Sequence, residues 1–279
     1  LEGLVMVRGT VQKFTPKTAK SQQVMPPPKK ANGDPEGGST SAFDLIYKRY
    51  GDSFKAARWF NDRHYTAAVM RREDKGVSLI IQNNDPDEKG DIRPPQILFV
   101  AQKINLAVDP KSGNLIFSLT EVLPILKPDG TPVLGPDNKP PKYEFVHALF
   151  MLSITSTGPK IEFIGPSPGK EFCFGNPVVS PDGSAMMFQI GKYMGDGNME
   201  TQNLVSCPLA AGGIRGMTQI APGNVSDQSY SPDGRKIAFV RQEGGHQAIF
   251  VAANDGSGAK NLTGSAGDFA APVFSPQYK

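Results

Sequence analysis

The sequence predicts an all-β fold made of repeated four-stranded sheets, and three observations carry the prediction. The tetrapeptide Ser180-Pro181-Asp182-Gly183 recurs as Ser231-Pro232-Asp233-Gly234, and a broken copy closes the chain at Phe274-Ser275-Pro276. Ser231 follows Ser180 by 51 residues and Ser275 follows Ser231 by 44, a period of about one four-stranded propeller blade. Short apolar runs of period two flank each copy, and 30 Gly and 25 Pro among 279 residues supply many turns.

From the N-terminus, residues 3–14 predict a strand centred on Leu4-Val5-Met6-Val7. Residues 15–40 contain Pro16, Pro26, Pro27, Pro28 and Pro35 with several Lys and Gly. With so little to bury, the segment 1–40 is expected to act as an extended Pro/Lys-rich arm. Its densest apolar stretch, Val24, Met25, Pro26, Pro27 and Pro28, is the candidate anchor on a partner, with Lys29 and Lys30 meeting acidic groups. Deleting 1–40 is then expected to leave the propeller folded and to weaken assembly.

Residues 41–64 predict a short helical segment. Ser41 is a candidate N-cap, and Phe43, Ile46, Tyr47, Tyr50 and Phe54 fall on one face. Trp59, near its end, is a candidate docking aromatic.

Strands are expected at Tyr65–Met70, Val77–Gln82 and Gln96–Ala101. A fainter copy of the repeat runs from Asn105 to Phe117 with one extra turn residue at Asp109-Pro110-Lys111-Ser112-Gly113. Its outer strands are expected at Phe145–Ile154 and Lys160–Ile164, with an inserted loop at Lys127–Lys142 that carries five Pro. The two full copies follow. In each, Pro sets φ for the second turn position, Asp tolerates the third and Gly accepts the fourth. After the second copy come a strand at Gln247–Val251, a Gly-rich turn at Asn254–Gly258 and a short outer strand at Lys260–Thr263.

Two in-register Ser-Pro-Asp-Gly copies, with this strand-turn-strand downstream, closely resemble the propeller repeat of TolB-type proteins over about residues 176–276. The resemblance implies a β-propeller domain over 65–279. About four blades are countable, where six are usual for the family. It also implies closure by strands from the two chain ends, with residues 65–101 expected to complete the blade that Ala271–Phe274 begins. The resemblance further implies a periplasmic or otherwise extracytoplasmic location and protein partners bound through loops and N-terminal segments.

Net charge is only +3, but residues 1–75 carry 14 basic and 8 acidic side chains while residues 76–279 carry 16 and 19. This balance does not point to nucleic acid; the basic N-terminal part is a solvated face or meets an anionic partner. No apolar stretch approaches the ~20 residues of a membrane-spanning helix, so any membrane association is expected to run through partners. The chain begins at Leu1 rather than Met, which fits a processed protein or a fragment. Cys173 and Cys207 flank the first Ser-Pro-Asp-Gly hairpin and are either paired or two free buried thiols.

Catalytic motifs are hard to find. Gly165-Pro166-Ser167-Pro168-Gly169 matches a nucleophile elbow by letter, but Pro168 lacks the N–H that would serve the oxyanion. His64, His147 and His246 are not spaced as metal ligands. Asp85–Asp91 has the start of a calcium loop, but Lys89 stands at a ligand position and Gln96 at the twelfth place. No cofactor, metal site or catalytic residue is assigned. The expected function is a non-catalytic protein-interaction scaffold or accessory subunit of a cell-envelope complex. The alternatives are the propeller domain of a hydrolase and a glycan-binding propeller using Trp59.

Overall fold

A computed structural model describes residues 3–7, 10–15, 20–23, 54–72, 76–91, 94–124, 127, 133, 143–166, 169, 171–195, 198–209, 216–264 and 266–274. These residues form five four-stranded antiparallel sheets. Blade 1 orders β20 (Ala270–Phe274), β1 (Gly3–Val7), β2 (Thr10–Thr15) and β3 (Lys20–Gln23). Blade 2 is β4 (Phe54–Phe60), β5 (Tyr65–Arg71), β6 (Val77–Asn83) and β7 (Gln96–Ala101). Blade 3 is β8 (Lys103–Val108), β9 (Leu115–Pro124), β10 (Tyr143–Thr155) and β11 (Gly158–Pro166). Blade 4 is β12 (Phe172–Val179), β13 (Ala185–Gly195), β14 (Asn198–Pro208) and β15 (Thr218–Pro222). Blade 5 is β16 (Val225–Tyr230), β17 (Lys236–Glu243), β18 (His246–Ala253) and β19 (Lys260–Asn261). The leading strands lie side by side, β4 with β8, β8 with β12, β12 with β16 and β16 with β20.

The repeated tetrapeptide closes the turn between the first and second strands of a blade. Ser180 Oγ donates to Asp182 Oδ1 at 2.6 Å and accepts the Ala185 N–H at 3.0 Å, while Asp182 accepts the Ser184 N–H at 3.0 Å. Ser231 and Asp233 repeat the set, at 2.6 Å between side chains and 2.9 Å from Lys236 N. In blade 3 Asp109 takes the place of Ser and accepts the Lys111 N–H at 2.9 Å. The extra residue there shifts the closing bond to Gly113 N on Asp109 O, 2.8 Å. Neighbouring turns also touch. Gly183 has φ +70°, and a Cβ on it would lie 2.9 Å from Asp109 Oδ1, so this position favours glycine twice over.

Alternation along each second strand explains how one sheet packs against two neighbours. Leu115 and Phe117 of β9 point into the interface with blade 2, where they meet Leu79 and Val77, whereas Ile116 points to blade 4. In β13, Met186 and Phe188 face blade 3, and Met187 faces blade 5. Phe239 and Ile237 of β17 return the contact, and Val240 faces the other way with Ile249 and Phe269. All of these side chains are buried, and each contributes about 1.5–3 kcal/mol of apolar burial.

Four expectations are corrected. The described residues form five sheets rather than about four, because β1, β2 and β3 form a blade of their own with β20. The partner of Ala270–Phe274 is therefore β1, through Gly3↔Phe274 and Leu4↔Val273, and residues 65–101 serve blade 2. Within the expected arm, Thr10–Thr15 and Lys20–Gln23 are strands, held by main-chain pairing that does not require apolar side chains. Within the expected helical segment, Phe54–Phe60 is a strand followed by a turn at 61–64. Its pairing with Ala67, Ala68 and Val69 of β5 overrides the weak helical period. Residues 24–53, with the candidate anchor and the N-cap, lie outside the described residues.

Candidate functional site: the axial channel

The leading strands of all five blades line one cavity of about 330 Å³. The positions that meet there are set by the turns. Arg58, Leu106, Pro177 and Gln228 stand three residues before Asn61, Asp109, Ser180 and Ser231, the first residues of four equivalent turns, and Pro272 stands three residues before Ser275 of the broken sequence copy. All five line the cavity. In three strands a bulge precedes the ring position. Asn176, Asp227 and Ala271 take φ of 42°, 50° and 50°, and pairing breaks between Gly175 and Val178 and between Ser226 and Ser229. Such a bulge bends the strand and re-aims the side chain that follows it.

Several polar groups of the wall are engaged in hydrogen bonds. Asn105 Nδ2 donates to Ser118 Oγ at 2.9 Å, and Ser229 Oγ donates to the Pro272 carbonyl at 2.8 Å. Gln228 Nε2 donates to the Asn176 carbonyl. The Ala271 N–H donates to Asp227 Oδ2 at 3.3 Å. The bonds of Ser229, Gln228 and Asp227 stitch blade 5 to its neighbours.

A second cavity of about 230 Å³ adjoins the first, sharing Arg58, Leu106 and Asn176, and adds Lys55, Lys103, Gln102 and Asn105. Arg58 therefore stands where the two spaces meet. It donates to the Ala57 carbonyl at 2.8 Å. It keeps solvent access along the channel, yet burial among protein atoms holds its pKa below the usual guanidinium value. Burial also lowers the Lys103 pKa, Lys55 adds to the effect by repulsion, and the Cys173 thiol opposes it. Among the described residues no carboxylate lies within ion-pair distance of Lys55, Arg58 or Lys103.

Trp59 is half-buried against Ala57, Ala68 and Ile80, and the Arg63 guanidinium covers its ring at 4.9 Å from the centroid. Val24, Met25, Pro26, Pro27, Pro28, Lys29 and Lys30 lie outside the described residues, as does Ser167. Asp85 holds His64 Nδ1 at 2.8 Å, and Asp87 accepts the Lys89 N–H within its own hairpin tip. His147 is buried with Nδ1 3.0 Å from Thr120 Oγ1. No group of three or more His, Cys, Asp or Glu suited to a metal occurs among the described residues. Cys173 and Cys207 are both buried and free, and burial pushes the Cys207 thiol up to about 11. The channel cations carry no sequence motif; Arg58 stands three residues before the first residue of a turn, and Lys55 and Lys103 stand six residues before one.

A different feature marks the rim. Ile161 and Phe163 of β11 are exposed, Phe163 by 61%. Phe163 stands edge-on to Phe150 at 5.8 Å, and Phe150 stacks on buried Phe117 at 5.4 Å and on Phe99 at 6.1 Å. An aromatic column thus runs from the interface of blades 2 and 3 out to solvent.

No known protein-family profile matches the chain. Among solved structures, a TolB-type structure from Agrobacterium tumefaciens matches with TM-score 0.51 and 13% identity, over 94% of this chain and 88% of that one. TolB from Acinetobacter baumannii matches with TM-score 0.38 and 13% identity over 97% of this chain, which spans 65% of that one. The GH74 enzyme of Niastella koreensis matches with TM-score 0.41 and 14% identity, over 90% and 42% of the two chains. At these identities the likeness is one of fold: the chain is an all-β protein of propeller-like blades, similar in architecture to TolB-type structures.

Proposed function

We propose that the chain is a protein-interaction module, an accessory or scaffold subunit of a complex outside the cytoplasm, with no catalytic role of its own. The observation that carries this reading is the column from Phe117 through Phe150 to Phe163. Its inner end is rigidly packed, and its outer ring is 61% exposed beside Ile161. A large aromatic held rigid at the surface is the kind of side chain that anchors protein interfaces. The location follows from the resemblance of the repeats to TolB-type proteins.

The test is purification from the source organism with a Phe163→Glu variant alongside, each followed by mass spectrometry of the chains that elute with it. A stoichiometric protein partner present with the unaltered chain and lost with the variant supports the reading. A chain that elutes alone, or one that turns over a small molecule by itself, overturns it.

A further inference from the structure

The channel carries a second binding site, and it does not rest on the aromatic rim. The smaller cavity brings Lys55 of β4, Arg58 of β4 and Lys103 of β8 to one space. All three line the same cavity, Lys55 and Lys103 from neighbouring leading strands. Cations gathered in a walled concavity focus a positive potential into it, and a partly desolvated cation without a counter-charge is costly to hold. Among the described residues nothing in the wall offsets them. The single carboxylate of the lining, Asp227, belongs to the larger cavity, where it accepts the Ala271 N–H. Of the other polar side chains of the walls, Asn105 is bonded to Ser118, Gln228 to the Asn176 carbonyl and Ser229 to the Pro272 carbonyl.

We propose that the axial channel binds a small molecule with an oxyanion head, a phosphate or a carboxylate, held by Lys55, Arg58 and Lys103. Arg58 is shared by both cavities, so the head sits on the blade 2–blade 3 side and a short polar body extends past Arg58 toward Asn176 and Ser229. The larger cavity is at the small end of the range of ligand sites, about 300–1,000 Å³, which limits the ligand to a compact molecule. The guanidinium offers two parallel donors to an oxyanion and the lysines act as point charges beside it.

Calorimetric titration of the full 279-residue chain at low ionic strength, with inorganic phosphate and separately with acetate, tests the site. The expected result is saturable one-to-one binding of at least one probe; tighter phosphate assigns a phosphate head, and tighter acetate assigns a carboxylate. Arg58→Gln should weaken the preferred probe about tenfold or more, the loss expected for one charge-assisted hydrogen bond. Lys55→Gln, at an exposed position where folding is not at stake, should weaken it too. Lys160→Gln, a surface lysine 2.8 Å from Glu162, should leave it unchanged. No saturable binding of either probe overturns the proposal. So does binding that Lys160→Gln weakens as much as Lys55→Gln does, because that would be non-specific attraction to the surface.

Discussion

Gln189 of β13 donates from Nε2 to Gln228 Oε1 on β16 at 3.0 Å, across the boundary between blades 4 and 5. Both side chains are buried, and Gln228 passes its own Nε2 on to the Asn176 carbonyl. A ring position of the channel is thus fixed by a relay that starts in the second strand of the neighbouring blade.

Gln228→Leu should therefore destabilise the protein by about 1–3 kcal/mol, the cost of leaving buried polar partners unsatisfied. The double variant Gln189→Met with Gln228→Leu should recover part of that loss, because one of the orphaned groups is gone. Urea denaturation of the set measures both, and strictly additive losses would show that the two glutamines act separately.

Phe239 has no exposed surface and stacks on Phe250 at 5.7 Å with 9° between the rings. Phe239→Ala should cost roughly 3–5 kcal/mol, the range for an emptied aromatic site in a packed core. A loss below about 1 kcal/mol would mean that the blade 4–blade 5 interface closes around the gap.

The Asp182 carboxyl is held down to about 2 from an ordinary 3.8, first by the Ser180 hydroxyl and then by the Ser184 N–H and hydroxyl. A depressed carboxylate contributes stability that is present above its unfolded pKa and fades as pH falls toward the folded one. The contribution of this turn should thus be intact above about pH 4 and lost toward pH 2. Ser180→Ala should move the Asp182 titration upward in a carboxyl-carbon NMR experiment; an unmoved midpoint would remove Ser180 as the leading cause.

Removing residues 1–23 takes away β1, β2 and β3 and leaves β20 without its antiparallel neighbour. The truncated chain should melt roughly 5 °C or more lower, since about 1 kcal/mol shifts Tm by some 2–4 °C in a domain of this size. An unchanged Tm would show that the first three strands are an accessory to the fold. The lowered Tm would oppose the expectation, drawn from composition, that the N-terminal 40 residues are dispensable for folding.

The parts of the fold legible in the sequence are those where turn chemistry is local. Ser180, Asp182, Ser231 and Asp233 each bond within five residues of themselves, so their pattern survives in the letters. The turn after β4 uses Asn61, Asp62 and Arg63, all with positive φ, and carries no Pro-Asp-Gly signature. That is why β4 could pass for the end of a helix. β2 and β3 hide for another reason. Thr10–Thr15 and Lys20–Gln23 are mostly polar, and what defines them is main-chain pairing with partners that a linear reading does not reveal. The channel was illegible because its ring positions share a place and not a residue type: Arg58, Leu106, Pro177, Gln228 and Pro272 have only geometry in common.

The pairing of Gly3 with Phe274 has a consequence in time. Among the described residues its two strands are the first and the last of twenty along the sequence. A chain emerging from the ribosome N-terminus first can complete blades 2 to 5 in order, each from consecutive residues. Blade 1 must wait with one ladder edge of β1 bare until β20 is made. An uncovered strand edge invites pairing with whatever other strand is at hand. The nascent protein is thus most exposed to mispairing at the bare edge of β1, and chaperone protection would matter most there.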